Sequence, residues 1–318
     1  MARKYISDIQ PGDSMQQAFL VQSKQLRTQR NGSFFLDLQL VDRTGIVSAK
    51  MWDATQVLYG SFSEDDFVLV KARGETYRRK LQLVVTDLRL MDPSEVDVED
   101  FLPKSARDVG EMLERLGEIA ASLTDEPLRQ LLEAFLADEV FVSGFRQAPG
   151  GVSVHHAWLG GLLEHTLAVT ELALTMAEAY PNLDRDLLVA GAVLHDVGKV
   201  EEFGYTRAFR YTDAGGLVGH LAIGAMRVGE RAAAIEGFPP ILLQEVQHLI
   251  LSHHGQHEYG SPLLPATAEA VVLHHIDNID AKVVAFDQVL LRDQDEASAW
   301  TEWSRVFDRR LYKRPPRA

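Results

Sequence analysis

Between residues 14 and 91 apolar and polar positions alternate, and from residue 106 onward they recur at steps of three and four. In the segment Phe34–Val41, Leu36, Leu38 and Leu40 fall on one side and Phe35, Asp37 and Gln39 on the other. Ile46–Trp52 repeats the pattern, with Val47, Ala49 and Met51 opposite Ser48, Lys50 and Trp52. A period of two is that of a strand with one buried face. Met15–Leu26, Phe67–Gly74 and Leu81–Leu90 supply three more strands. Turn signals lie at Arg30-Asn31-Gly32-Ser33, Asp42-Arg43-Thr44-Gly45 and Gly74-Glu75-Thr76-Tyr77.

Five strands, with a short non-strand stretch at Ala54–Phe62 between the third and fourth, predict an all-β barrel of the OB type over residues 1–92. Residues 93–104 read as an acidic linker. Beyond it the period is helical: Val109, Met112, Leu113 and Leu116, then Leu128, Leu131, Leu132 and Phe135. Further helical patterns cover Trp158–Tyr180, Arg185–Val197, Val218–Ile235, Ile241–Ser252 and Ala266–Leu291. An all-α domain is therefore expected over 105–318, with its core at 153–290.

Composition narrows the chemistry. The 318 residues include no cysteine, which excludes thiolate sites and leaves His, Asp and Glu as the strong metal ligands. The polar segment Met1–Gln10 does not read as a signal peptide, and no long apolar run reads as a membrane span, so a cytoplasmic location is expected. The net charge of −14 is unevenly spread. Residues 1–92 carry 13 Lys+Arg against 11 Asp+Glu, whereas the remainder carries 19 against 35. The near-neutral first part is the better home for phosphates.

All eleven histidines lie between 155 and 275. His195-Asp196-Val197-Gly198-Lys199 closes an apolar helix, and an adjacent imidazole and carboxylate at a helix end can both reach one cation. Gly198 is expected to end that helix in the left-handed conformation, throwing Lys199 toward the same spot to meet a phosphate. His165 follows Gly160-Gly161, whose missing side chains permit close approach of a neighbour. His220 follows three glycines, His253-His254 ends a helix, and Asp277 sits in His274-His275-Ile276-Asp277-Asn278-Ile279-Asp280 within an apolar helix. Carboxylates in such places need a partner, and a cation is a natural one. Asp280 stays open as an alternative to Asp277. His274 is a candidate partner to a ligand, and His155 and His156 either touch substrate or cap a helix. His248 reads as structural and His257 as a loop residue.

The ordered set resembles the HD-domain superfamily of metal-dependent phosphohydrolases. That resemblance implies one metal on His165, His195, Asp196 and Asp277, and a second on His220, His253 and His254, bridged by Asp196. The motifs from Ser153 to His165, Leu251-Ser252-His253-His254-Gly255, Gly260-Ser261-Pro262 and Asp277-Asn278-Ile279-Asp280-Ala281-Lys282 further resemble the YhaM-type bacterial 3′-to-5′ exoribonucleases. Membership implies an OB barrel before an HD domain, manganese as cofactor, and single-stranded RNA as substrate, with single-stranded DNA a further candidate. The catalytic work would fall on Asp196 and Lys199.

On the barrel, Phe35, Lys50, Trp52, Lys71 and Arg73 share the polar face, and Arg78-Arg79-Lys80 forms a basic turn. Aromatics interleaved with cations suit stacked bases and tracked phosphates. Two other functions fit the residues as they stand. One is hydrolysis of a small nucleotide, either a cyclic dinucleotide or a nucleoside triphosphate. The other is nucleic-acid binding with an inactive HD site. The basic tail Arg309–Arg314 reads as a solvated end.

Overall fold

The computed structural model describes residues 3–29, 31–78, 80–152, 156–205, 207–293 and 298–314. The chain divides into two compact units, one made mainly of residues up to Lys104 and the other mainly of residues from Ser105 onward.

Five strands close the first unit: β1 (Ser14–Thr28), β2 (Phe34–Asp42), β3 (Gly45–Trp52), β4 (Phe67–Tyr77) and β5 (Lys80–Leu90), in the order β1-β2-β3-β5-β4. The 15-residue β1 makes closure possible by serving two partners. Its first half pairs with β4 and its second half with β2, with Leu20 opposite both Phe67 and Val41. Parallel pairing of Ser48 with Gln82 and Lys50 with Val84 seals β3 to β5. The alternating leucines point inward as the period requires, and Leu36, Leu38, Leu40, Val70 and Leu83 are buried. One bulge interrupts the pattern: Lys71 faces Asp87 while Ala72 faces Val85, so Thr86 is the extra residue. A short helix α1 (Gln56–Gly60), capped by Thr55, joins β3 to β4. This is the OB topology.

The second unit packs α2 (Val109–Ala121), α3 (Glu126–Leu136), α4 (Glu139–Phe145), α5 (Gly161–Ala179), α6 (Arg185–Leu194), α7 (Lys199–Glu202), α8 (Asp213–Leu217), α9 (His220–Ala233), α10 (Pro240–Ser252) and α11 (Ala268–Arg292). Helix α6 is its axis, with every residue from Asp186 to Leu194 buried. Such a helix is apolar all round because neighbours cover every side. Part of the acidic excess has a structural use, since Asp108, Asp125, Asp138 and Asp184 each cap a helix by accepting backbone N–H groups.

The helical core carries two small additions, β6 (Phe203–Gly204) with β7 (Arg210–Tyr211), and β8 (Trp300–Ser304) with β9 (Arg309–Tyr312). The second gives the basic tail a regular structure while Arg309 and Arg310 stay exposed, as a solvated end requires. Arg309–Tyr312 is a hairpin strand, with Leu311 buried and Trp300 packed on Tyr312. Among the described residues no helix is long and apolar enough to cross a membrane.

Candidate metal centre

The C-terminal end of α6 sets the site. His195 keeps helical geometry as the cap of α6, Asp196 follows it, and both are buried. Gly198 departs from expectation. Its φ of −65° is right-handed, so it does not supply a left-handed stop. It is glycine because a Cβ there would lie 2.1 Å from the carbonyl oxygen of His220. The start of α9 thus packs directly on the backbone after Asp196. Gly161 plays the same part for His165, since its Cβ would meet the His156 carbonyl oxygen at 2.1 Å. Gly160 takes φ +76° as the cap of α5.

Five imidazoles of the cluster, His165, His195, His220, His253 and His254, are held through Nδ1. His195 Nδ1 donates to Ala192 O at 2.7 Å, His253 Nδ1 to Ile250 O at 2.8 Å and His254 Nδ1 to Tyr259 O at 2.8 Å. His220 Nδ1 donates to Glu202 at 2.9 Å and His165 Nδ1 to Asp280 at 2.6 Å. With the proton committed to Nδ1, Nε2 of a neutral ring is a lone pair. These lone pairs face one another: His165 Nε2 lies 3.2 Å from His195 Nε2, and His220 Nε2 lies 3.3 Å from His254 Nε2.

Asp196 stands between the two sets. Its Oδ2 is 3.3 Å from His195 Nε2 and 3.6 Å from His165 Nε2, and its Oδ1 is 3.5 Å from His220 Nε2 and 3.6 Å from His253 Nε2. Oδ1 is buried and has no hydrogen-bond donor among the described residues. An orphaned carboxylate oxygen facing imidazole lone pairs fits a divalent cation. Asp277 completes the first set, 3.1 Å from His165 Nε2. The groups His165–His195–Asp277, His195–Asp196–His253 and His220–His253–His254 each have the reach to hold an ion.

Where no cation sits, the electrostatics put a proton on His165 Nε2 in its place. Burial alone would lower the pKa of His165, but hydrogen bonds to Asp277 and Asp280 outweigh it and raise the ring to about 9. Burial pushes His253 well below the ordinary imidazole value, with the nearby His195 adding to the effect. For Asp196 burial opposes ionisation, yet the Lys199 ammonium and His195 hold its carboxyl well below the usual range.

Other expected residues fall into place or are displaced. Asp277 faces the Nε2 side and Asp280 the Nδ1 side of His165, which separates their parts. His156 neither caps α5, where Gly160 stands, nor lies at the surface. It is buried, with Nε2 2.9 Å from Asp280. His155 lies outside the described residues. His274 Nδ1 donates to His253 O at 2.8 Å, so this ring supports the chain at a ligand. His248 accepts from Ala266 N and His257 donates to Ser261 O, both away from the cluster. Lys199 is buried and lies at the same spot as Asp196. Its Nζ meets Asp196 at 2.6 Å and Gly150 O at 2.9 Å. It still lines a cavity of about 180 Å³ with Asp196, His253, His254, Tyr259, His274, Asp277, Asn278 and Ala281. Glu202 escaped sequence reasoning, because nothing local marks a glutamate that will meet His220 eighteen residues on.

On the barrel, the Phe35 and Trp52 rings sit 5.1 Å apart on the paired β2 and β3. Lys50 Nζ lies 5.4 Å from the Phe35 ring, 5.9 Å from Trp52 and 5.5 Å from Tyr77. Arg78 approaches Tyr77, and Lys80 pairs with Tyr77 across the β4–β5 turn. Arg79 lies outside the described residues. Lys71 and Arg73 also point outward, but closure carries them to another stretch of the circumference. There they line a groove of about 660 Å³ with Ser14, Gln16 and Thr86. A flat alternation cannot show that separation.

An OB barrel followed by a helical unit with this His/Asp centre defines a metal-dependent phosphohydrolase of the HD class, and the HD domain family model matches residues 162–282. The chain belongs to the YhaM 3′-5′ exoribonuclease family. A 3′-5′ exoribonuclease YhaM of Bacillus velezensis is 32% identical over 308 residues, covering 96% of each chain. A 3′-5′ exoribonuclease YhaM of Bacillus subtilis is 34% identical over the same length and coverage. Among solved structures, the second OB-fold domain of replication protein A from Methanococcus maripaludis is similar over 28% of this chain and 94% of its own, at 18% identity and a TM-score of 0.23.

Proposed function

We propose that this chain removes nucleotides one at a time from the 3′ end of single-stranded RNA, with single-stranded DNA as a further substrate, in the cytoplasm. The observation that carries the reading is the pair of imidazole Nε2 sets on either side of Asp196. His165, His195 and Asp277 would hold one ion and His220, His253 and His254 the other, with one oxygen of Asp196 given to each. Two manganese ions so held supply a water activated for attack on phosphorus and neutralise phosphate charge.

The rest of the work belongs to side chains. Lys199 keeps Asp196 ionised and, from the cavity wall, steadies the non-bridging oxygens of the scissile phosphate. Asp280 and Glu202 keep His165 and His220 presenting Nε2. Recognition is assigned to residues 1–92 and chemistry to 105–318, with 93–104 leading from one to the other while Phe101 packs on Phe67 of the barrel. Phe35 and Trp52 are exposed enough for base stacking near the cations Lys50, Arg78 and Lys80, Arg79 is assigned to nucleic-acid contact from the sequence, and Lys71 and Arg73 follow the phosphates further round the barrel.

Cleavage with the upstream 3′-oxygen leaving yields nucleoside 5′-monophosphates and a strand ready for the next cycle. The test is product analysis of 5′-labelled RNA with Mn²⁺, with and without a 3′-phosphate. Stepwise shortening, slowed by a terminal phosphate carrying about −1.5 to −2 charges, supports the reading. Internal fragments, nucleoside 3′-monophosphates or early release of the 5′ label would sink it. Turnover of a cyclic dinucleotide or nucleoside triphosphate far faster than RNA would replace it.

A further inference from the structure

The cavity beside the metal centre has two walls. One is the ligand wall of Asp196, His253, His254 and Asp277, with Lys199. The other is built from Tyr259, His274, Asn278 and Ala281. His274, Asp277, Asn278 and Ala281 occur at i, i+3, i+4 and i+7 of α11, which places them on one helical face. The adjacent face, with Leu273 and Ile276, is buried core. So α11 turns His274, Asp277, Asn278 and Ala281 to the cavity while Leu273 and Ile276 pack into the core. Ala281 leaves room where a longer residue would fill the space.

Tyr259 closes the other side, in the turn after α10. Its backbone carbonyl holds His254 Nδ1 at 2.8 Å, which fixes the turn against the metal centre. Its side chain contributes little to the core, and the residue is 61% exposed. An aromatic ring at the mouth of a cavity, anchored through its own backbone, is a stacking platform. The cavity volume of about 180 Å³ is below the roughly 300–1,000 Å³ of sites that enclose drug-sized ligands. Because the metal ligands line the same space, it takes no more than the end of one strand, with a base lying toward Tyr259.

We propose that this cavity receives the 3′-terminal nucleoside, with Tyr259 stacked on its base and Asn278 hydrogen-bonded to its sugar hydroxyls. The proposal rests on the exonuclease reading and names the half of the substrate that the metal ions do not touch. A carboxamide has two donors and an acceptor, the complement of neighbouring 2′- and 3′-hydroxyls that each donate and accept. A tyrosine face accepts every base, so the pocket reads the sugar and tolerates the sequence.

The experiment uses the full chain with Mn²⁺. Calorimetry measures adenosine 5′-monophosphate and inorganic phosphate separately, and rates are taken on labelled RNA ending in a ribose or, at the last residue alone, a 2′-deoxyribose. Tyr259→Ala should weaken adenosine 5′-monophosphate roughly 5- to 150-fold, the range for one base on an aromatic ring, and leave inorganic phosphate unchanged. Tyr259→Phe should restore nucleotide binding. Asn278→Ala should erase the rate difference between the ribose and deoxyribose ends. If Tyr259→Ala weakens inorganic phosphate equally, the residue acts through His254 and the proposal is wrong. If both variants bind and discriminate as the parent does, it is also wrong. A parent protein that binds adenosine 5′-monophosphate through Tyr259 but does not shorten RNA overturns the exonuclease reading and leaves the nucleoside pocket standing.

Discussion

Glu202 grips His220 twice, its Oε1 accepting from the His220 backbone N–H and from Nδ1, both at 2.9 Å. One buried carboxylate thereby starts α9 and sets the tautomer of an imidazole in the metal centre. Removing it in Glu202→Ala should weaken divalent-metal binding at the His220 half about 10- to 100-fold. The His165 half should keep its affinity. A Mn²⁺ titration followed by electron paramagnetic resonance resolves the two. Unchanged affinity at both halves would show that the backbone alone aims His220.

Asp196 and Lys199 form a buried ion pair at 2.6 Å, so the carboxylate serves stability as well as the metal centre. Asp196→Asn should abolish turnover and lower stability by about 3–5 kcal/mol, the cost of leaving one member of a buried pair without its counter-charge. The helical circular-dichroism spectrum should survive at 25 °C. Adding Lys199→Met should recover much of the stability and none of the turnover. A double variant no more stable than Asp196→Asn would mean that the pair is not what is lost.

Trp52 is 46% exposed, and the Phe35 ring lies tilted beside it on an outer face. Neither ring is needed to fill the barrel. Phe35→Ala and Trp52→Ala should each weaken single-stranded RNA binding by about 1–3 kcal/mol, with little change in hydrolysis of bis-p-nitrophenyl phosphate. Fluorescence anisotropy with a labelled RNA measures the first and absorbance the second. An unfolded Trp52→Ala protein would assign the ring to packing.

Asp186 is the joint between α6 and the start of α3. It accepts from Thr124 N at 2.6 Å, Thr124 Oγ1 at 2.7 Å and Asp125 N at 2.8 Å, and pairs with Arg185 at 2.6 Å. Burial works against its charge, but these donors outweigh burial and hold its carboxyl below the ordinary 3.8. A depressed folded pKa means stabilisation that is fully present above the unfolded value, about 3.9, and is lost as pH falls through the folded value. Asp186→Ala should cost about 1.5–3 kcal/mol at pH 7, with the difference from the parent shrinking below pH 4. Urea titrations at pH 7 and pH 3 decide it, and an equal difference at both would exclude the ionised carboxylate.

What the sequence disclosed, and what it hid, divides along a physical line. Leu36, Leu38 and Leu40 announce their strand because burial follows the period of the backbone itself. The order of His165, His195-Asp196 and Asp277 is legible because each polar group interrupts an apolar helix. Gly198 was legible as a necessary glycine but not for its reason, since close approach of His220 O is a contact between distant segments. His156 and Glu202 acquire partners 124 and 18 residues away, and no local pattern carries such a pairing. Lys71 and Arg73 share an outward face with Trp52 in a flat strand diagram. Closing the barrel moves them round its side.

The facing lone pairs of His165 and His195, and of His220 and His254, carry a consequence for the lifetime of the protein. Without a cation those rings must repel one another or take up protons, in the middle of the helical core. Any ion that binds the folded chain alone stabilises it, by about 2.7 kcal/mol per site at a hundredfold excess over Kd. Because proteases cut the opened state, resistance to digestion should track metal supply. A cell short of the metal would then lose the molecule along with its activity, and its abundance becomes a record of metal availability.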